Sequence, residues 1–345
     1  MKNATEGKNS PLRVVAARPE MWERNLNDFA FSLFLTPEWV RAMAGTQASS
    51  VFLDFVQGAT VVAKVSGVLQ QNGWLKGRSL LFYASPALGE TRQDLLDACC
   101  TALLAYARSK GIQRMLMASY DQQHSMAPGV KGWFVNKRCE FVVPLNGEGP
   151  VFSTNFKRNV KKALKKEALF GPAEGEDLQA DLEDLLGATL ETRSSKYGET
   201  YNPFYLPLLN SKSLERLYKE GAGRYYKVTL PGAPTPNCVL FNLEREGRAF
   251  NLLVGSDSAA YRFGLAGLAD YQLIESYRLQ RYSAYNLGGA TGDAGSAGLE
   301  RSKEARGGQR RWVYGATTNF LCFPHRLLNP LLLLLRRLRV KLMKP

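Results

Sequence analysis

The chain is poor in the residues on which metal and nucleophile chemistry depends. Two histidines occur in 345 residues, His124 and His325, far apart in sequence. A histidine-rich metal centre is therefore excluded, and no metal is expected. The five cysteines, Cys99, Cys100, Cys139, Cys238 and Cys322, are odd in number and form no C-x-x-C pair. Zinc spacing and a disulfide framework are both missing, which fits a reduced cytoplasmic interior. No G-x-S-x-G elbow and no G-x-x-x-x-G-K-[ST] loop occurs, and no complete G-x-G-x-x-G follows a strand. Those gaps rule out a nucleophile elbow, a P-loop and a Rossmann site. The first residues, MKNATEGKNSPLRVVAARPEM, lack the apolar core of a signal peptide, and no run approaches the ~20 apolar residues of a membrane span.

Negative charge is also in short supply. Against 45 lysines and arginines stand 31 acidic residues, a formal net charge of +14. Such an excess points to a polyanionic surface or ligand: nucleic acid, anionic lipid or a phosphate-bearing substrate. With 45% apolar and 22% charged residues the chain is globular, and its length favours two domains.

The order of elements repeats. LRVV (12–15) reads as a first strand. FLTPEWVRAMA follows as a helix, with Thr36 as N-cap and Pro37 at the first helical position. SVFLDFV, TVVAKVSGVLQ and SLLFYA read as an antiparallel meander, TRQDLLDACCTALLAYARSKG as an amphipathic helix ending at Gly111, and IQRMLMASY as a strand. Then comes STNFKRNVKKALKKEALFG. Here Phe156, Val160 and Leu164 line one side of a helix, and Lys157, Arg158, Lys161, Lys162, Lys165 and Lys166 line the other. An acidic helix (177–198) and a third helix (205–221) precede the strands RYYKVTL, NCVLFNLERE and RAFNLLVGSD, the helix LADYQLIESYRLQRYS, and the strands SAYNLGG and QRRWVYGAT. Domains are expected at 10–143 and 144–325, with a tail at 326–345.

Two stretches carry candidate chemistry. In VGSDSAAYRFGLAGLADYQ a strand ends near Gly255, a linker holds Arg262, Gly264 and Gly267, and a helix begins about Leu268. Glycines leading into a helix N-terminus expose backbone N–H groups and the positive end of the dipole, which suits a pyrophosphate. The second stretch, YNLGGATGDAGSAGLERSKEARGG (285–308), places seven glycines around a short charged helix with Lys303 near its end. The tail RLLNPLLLLLRRLRVKLMKP combines leucines with Arg336, Arg337, Arg339, Lys341 and Lys344, with Asn329 as N-cap and Pro330 in the first turn. It reads either as a docked terminal helix or as an interfacial anchor on an anionic membrane.

Taken in order, FLTPEWVRAMA, NFKRNVKKALKKEALFG, GSDSAAYRFGLAGLADYQLIESYRLQRYSAYNLGG and GLERSKEARGG resemble the FemAB-like, BioF-associated (cellulose-biosynthesis-type) branch of the GNAT acyltransferase superfamily. The resemblance covers most of residues 30 to 316. It departs from the family at Ser302 and Arg306, where an aromatic residue usually stands on each side of the lysine. The resemblance implies an α/β (α+β) fold of two tandem GNAT-like domains, each a mixed, largely antiparallel sheet flanked by helices. It implies acyl transfer to an amine, on a cell-envelope or polysaccharide precursor, lipid-linked in some settings. The donor is expected to be an acyl thioester of the acyl-CoA type, although some FemAB-like relatives use aminoacyl-tRNA. A non-catalytic basic module that binds RNA or membrane is the rival reading. In this scheme Lys303 stabilises developing negative charge. Asp257 and Glu191 are candidate proton acceptors, and Tyr285 (with Tyr261) a candidate acid. Arg262, Gly264, Gly267, Leu268, Gly288 and Gly289 would line the donor, and Lys157, Arg158, Lys161, Arg193 and Tyr197 the other substrate. The expected location is cytoplasmic, peripheral to the inner membrane face.

Overall fold

The apolar alternation of the first half builds strands that pair as neighbours in sequence. The structure, a computed structural model, describes residues 11–45, 48–73, 77–174, 177–197, 204–289 and 296–334, and of residues 177, 192–197 and 296 the backbone alone. Arg193 and Tyr197, glycines 292 and 295, and the cations beyond Leu334 thus lie outside the described side chains. In the first unit β1 (Arg13–Ala16) leads through a short α1 (Pro19–Glu23) to α2 (Pro37–Met43). The Thr36 hydroxyl accepts from Trp39 N, as its place before Pro37 predicts. Strands β2 (Ala48–Gln57), β3 (Thr60–Gln71) and β4 (Arg78–Phe82) form the expected meander, with β1 on β2 and the two-residue β5 (Ala87–Leu88) on β3. Helix α3 (Gln93–Ser109) then returns the chain to β6 (Arg114–Met117), parallel to β4.

The chain divides inside the next strand, β7 (Trp133–Pro144). Met1–Lys137 and Val313–Pro345 make the first unit and Arg138–Trp312 the second. The boundaries fall at 137/138 and 312/313, not at 143/144 and 325/326, because β7 and the last strand each give one half to each unit.

The second unit follows β7 with α4 (Thr154–Leu164), β8 (Leu169–Ala173), α5 (Asp177–Tyr197) and α6 (Ser211–Lys219). Strands β9 (Gly223–Thr229), β10 (Cys238–Arg245) and β11 (Arg248–Ser256) come next, then α7 (Ser258–Phe263), α8 (Leu265–Leu279), β12 (Ala284–Gly289), α9 (Ser296–Ala305) and β13 (Gln309–Thr318). The strand order is β7-β12-β11-β10-β9-β8, with β12 parallel to β11 and antiparallel to β7. Its core joins Phe156, Val160 and Ala163 of α4 to Leu265, Leu268, Leu273 and Ile274 of α8 and to Tyr285 and Leu287 of β12. Three expectations shift. Leu164 is half-exposed, and Ala163 takes the inward place at the end of α4. The linker holding Arg262 is itself a helix, α7, so α8 starts at Leu265 with left-handed Gly264 as its N-cap. Asn329 does not cap the tail helix. Its amide grips Phe320, accepting from the Phe320 N–H at 2.9 Å and donating to its carbonyl at 2.8 Å.

Helix α5 crosses β11 so closely that only glycine fits beneath it. A Cβ at Gly255 would lie 2.7 Å from Leu185 Cβ and 3.1 Å from the Leu182 carbonyl oxygen. Gly255→Ala should therefore cost about 1–3 kcal/mol through overpacking, read as a lower urea midpoint at unchanged slope.

Candidate active site

Parallel strands β11 and β12 pair at only three positions: Arg248 with Ala284, Ala249 with Tyr285, and Phe250 with Asn286. Beyond Phe250 they part, leaving a fork at their carboxyl ends, the usual place for a ligand in a sheet with parallel strands. Two local irregularities accompany the parting. On its other edge β11 bulges against β10, so that Phe241 faces Leu253, Asn242 faces Asn251, and Leu252 has no opposite residue. Strand β12 slips against β7 between Asn286 and Gly289, where Gly288 has φ +74°. A side chain at Gly289 would strike the Cys139 carbonyl oxygen at 2.8 Å and the Arg138 guanidinium at 2.9 Å, so glycine is required there.

Lys303 projects from α9 into this fork. Its side chain is 8% exposed, and Nζ donates to the Gly289 carbonyl at 2.7 Å. A Cβ placed on Gly288 would lie 3.7 Å from Nζ and 3.8 Å from the Asn251 carbonyl oxygen, so the amine stands beside both diverging strands. Burial, and next the neighbouring Arg306 guanidinium, push its pKa down to about 7, against the pull of Asp270 and Glu140. Near neutral pH the amine is thus shared between charged and uncharged forms.

Two buried carboxylates flank the lysine. Glu140 accepts from Arg138 at 2.6 Å and from Asn286 Nδ2 at 3.0 Å. Asp270, inside α8, pairs with Arg306 and accepts from the Tyr285 hydroxyl at 3.2 Å and Asn251 Nδ2 at 3.4 Å. Arg306 also donates to the Ser302 hydroxyl at 3.2 Å. The two residues that depart from the aromatic pattern therefore touch each other, and Arg306 carries the pairing to Asp270.

The polar contacts continue beneath α8. Asn242 Nδ2 donates to the hydroxyls of Tyr277 at 3.0 Å and Tyr285 at 3.4 Å, while its Oδ1 is buried without a partner. Tyr277 and Tyr226 each donate to Glu244 Oε1 at 2.6 Å. Burial raises the Tyr285 and Tyr277 hydroxyls well above the usual phenol value, with the Asp270 charge second for Tyr285 and Glu244 for Tyr277. Both stay protonated, and Tyr285 directs its proton at Asp270.

The other sequence candidates are placed as follows. Asp257 caps α7 through Ala260 N at 2.7 Å and accepts from Asn237 at 2.8 Å, and Glu191 is exposed on α5. Arg262 is exposed on α7, where its guanidinium lies over the Phe263 ring at 5.3 Å, and Lys166, in the turn after α4, lies over the same ring at 5.0 Å. Gly264 precedes α8 with no side-chain cap on that helix, and Gly267 faces Phe156 of α4. Leu268 is a core residue. Lys157, Arg158 and Lys161 are exposed on α4 with Lys162, while Lys165 and Lys166 follow in the turn after it, and among the described residues no ion pair joins any of the six to a carboxylate. Sequence reading missed Asp270 and Glu140. The signal was present: each is a lone acid in an apolar context, Asp270 on the buried stripe of α8 and Glu140 between Cys139 and Phe141.

No protein-family model matches the sequence, nor does any curated protein. The architecture is similar to that of FemX, with a TM-score of 0.65 over 88% of this chain and 96% of FemX, at 11% identity. A conserved protein of unknown function from Bacteroides thetaiotaomicron VPI-5482 is similar at 0.56 over 89% and 99% of the two chains, at 8% identity. L-PGS from Bacillus licheniformis reaches 0.53 over 87% and 91%, at 15% identity. The chain has a FemX-like fold. A mixed sheet flanked by helices is the coarse fold that the FemAB-like resemblance implied, and at such identities the likeness is one of fold.

The buried amine carries a stability cost. Its folded pKa lies below its unfolded value, so the unfolded chain binds more protons between about pH 7 and 10.5, and stability should rise with pH across that window. Below about pH 7 the full burden of the buried charge is present. Lys303→Met should therefore raise the melting temperature at pH 6 by a few degrees, and the gain should shrink towards pH 10. Equal melting curves at both pH values would refute the assignment of a depressed pKa.

Proposed function

We propose that this protein transfers an aminoacyl group from the ester end of an aminoacyl-tRNA to an amine, with the reaction centred on the β11–β12 fork. The observation that carries this reading is Lys303, a buried amine with a pKa of about 7 standing between two parting strands. In its neutral form it accepts a proton from the attacking acceptor amine as the new C–N bond forms. As an ammonium it lies beside the carbonyl oxygen on which negative charge develops. It then returns the proton to the ribose oxygen as the C–O bond breaks. No covalent intermediate with the protein is needed.

The donor is where the comparisons move the expectation. Likeness to FemX favours the aminoacyl ester used by some FemAB-like proteins over the thioester first expected. Helix α4 agrees with that choice. Its cations repeat at four-residue spacing with no carboxylate among them, so like-charge repulsion costs about 1–2 kcal/mol over the helix. A polyanion bound along that face would relieve it. Because α4 packs on α7 and α8, the charged face belongs to the same unit as the fork. The acceptor we assign is an amine on an envelope precursor.

Enzyme-dependent loss of the ester from aminoacyl-tRNA in the presence of amine acceptors, set against loss of the thioester from acyl-CoA, tests the reading directly. Ester consumption is expected. Consumption of thioester alone would reassign the donor, and consumption of neither would leave a binding module. The rate should climb with pH and level off above about 7, whereas an obligate ammonium would give a decline over the same range. Lys303→Ala should lose about 10²–10⁴-fold in rate. Lys161→Glu with Lys165→Glu should weaken tRNA binding and reduce its salt slope by about two, seen in filter binding across salt.

A further inference from the structure

The end of the described chain, in the first unit, presents apolar side chains on a framework that is tied down. Asn329 closes residues 320–329 into a loop through its two hydrogen bonds to Phe320. Leu321 N donates to the Gln113 carbonyl at 2.7 Å, and the Cys322 thiol points at the Ile112 carbonyl at 3.5 Å. The backbone therefore has a fixed path beside the start of β6. On this framework Phe323 is 77% exposed and Leu327 71%, with Leu328, Leu331 and Leu334 also exposed. A contiguous cluster of large apolar side chains left in water at a tethered site marks a surface meant to be covered.

The chemistry of the same segment says by what. From Asn319 to Pro345 the sequence contains no acidic residue, while Arg326, Arg336, Arg337, Arg339, Lys341 and Lys344 supply six cations. A docked protein helix or a second copy of this chain would have to bring this density of positive charge against itself, and this chain already carries +14. A surface that is apolar inside and anionic outside satisfies both halves of the pattern together.

We propose that residues 320–345 bind the surface of an anionic bilayer, Phe323, Leu327, Leu328, Leu331 and Leu334 entering the acyl boundary and the arginines and lysines meeting the headgroups. Up to Leu334 the described part of the tail exposes most of its leucines. One apolar insertion and one basic cluster are two weak signals that together give stable yet salt-sensitive attachment. The inference does not depend on the transfer chemistry or on the donor.

Flotation of the full chain with vesicles tests it. The chain should rise with vesicles containing phosphatidylglycerol, remain below with phosphatidylcholine alone, and detach as salt increases. Leu327→Glu with Leu331→Glu should lower partitioning on the order of a hundredfold, with an unchanged melting temperature since neither side chain is buried. Arg336→Glu with Arg337→Glu, which alters charge alone, should abolish the preference for phosphatidylglycerol. A full chain that never floats, a leucine variant that floats as well as the parent, or a dimer on size exclusion that the leucine variant converts to monomer would overturn the proposal. The last result would assign the patch to self-association.

Discussion

Two pairs of parallel strands in this chain are built alike and end differently, and the candidate site follows from that difference. In the first unit β4 and β6 pair from Ser79 with Arg114 to Phe82 with Met117. The zipper then runs on through Ala118 N to the Phe82 carbonyl and Tyr120 N to the Tyr83 carbonyl. In the second unit the corresponding zipper stops after Phe250 and Asn286. Both pairs are reached by the same route, three antiparallel strands and a crossover helix. Where the second pair of strands parts, the buried Lys303 amine enters.

Opening the fork needs support from beneath, because parted strands lose the hydrogen bonds that would fix their separation. The side chains under α8 supply it. Asn242 and Asn251, opposite each other at the β11 bulge, both donate to the Tyr285 hydroxyl of β12, at 3.4 and 2.9 Å. Tyr285 in turn reaches Asp270 of α8, which pairs with Arg306 next to the lysine-bearing helix. Strand, strand, crossover helix and α9 are thus tied by side chains where the backbone ladder is missing. Networks of this kind hold geometry well when fully satisfied and cost much when one member is lost. Asn242 Oδ1 finds no partner among the described residues, buried where the bulge brings β10 and β11 out of step.

Much of this order was legible before any coordinates. Thr36 before Pro37, the meander and the amphipathic α3 follow from local rules of capping and periodicity and formed where those rules put them, while the glycine-led α8 formed with its start moved to Leu265. The irregularities did not announce themselves. Nothing in RYYKVTL, NCVLFNLERE or RAFNLLVGSD fixes where the register shifts, because a bulge is a property of two paired strands and not of one. The α7 turn was hidden by its brevity. The boundary inside β7 was hidden because one strand serves two units. Asp257, a candidate proton acceptor, stands directly before a helix, and its Oδ1 caps that helix while its Oδ2 accepts from Asn237.

Ser302 and Arg306 stand where the FemAB-like pattern that this sequence resembles has aromatic residues. Aromatic residues on either side of a lysine would bury the amine by apolar contact alone. An arginine there buries it beside a like charge, which lowers its proton affinity further. That arrangement would be prohibitively unfavourable without an opposing carboxylate inside the structure. Asp270 provides one on α8, and Glu140, with Asn286 and Arg138, provides a second on the β7 side. The lysine therefore sits in a balance of two positive and two negative neighbours. Its titration near neutrality is set by desolvation, with the charges largely offsetting one another. In such an arrangement the arginine is not a relic of drift at an aromatic position. It is one half of a buried pair whose other half lies on a different helix, so Arg306 and Asp270 constrain each other, and both constrain the amine.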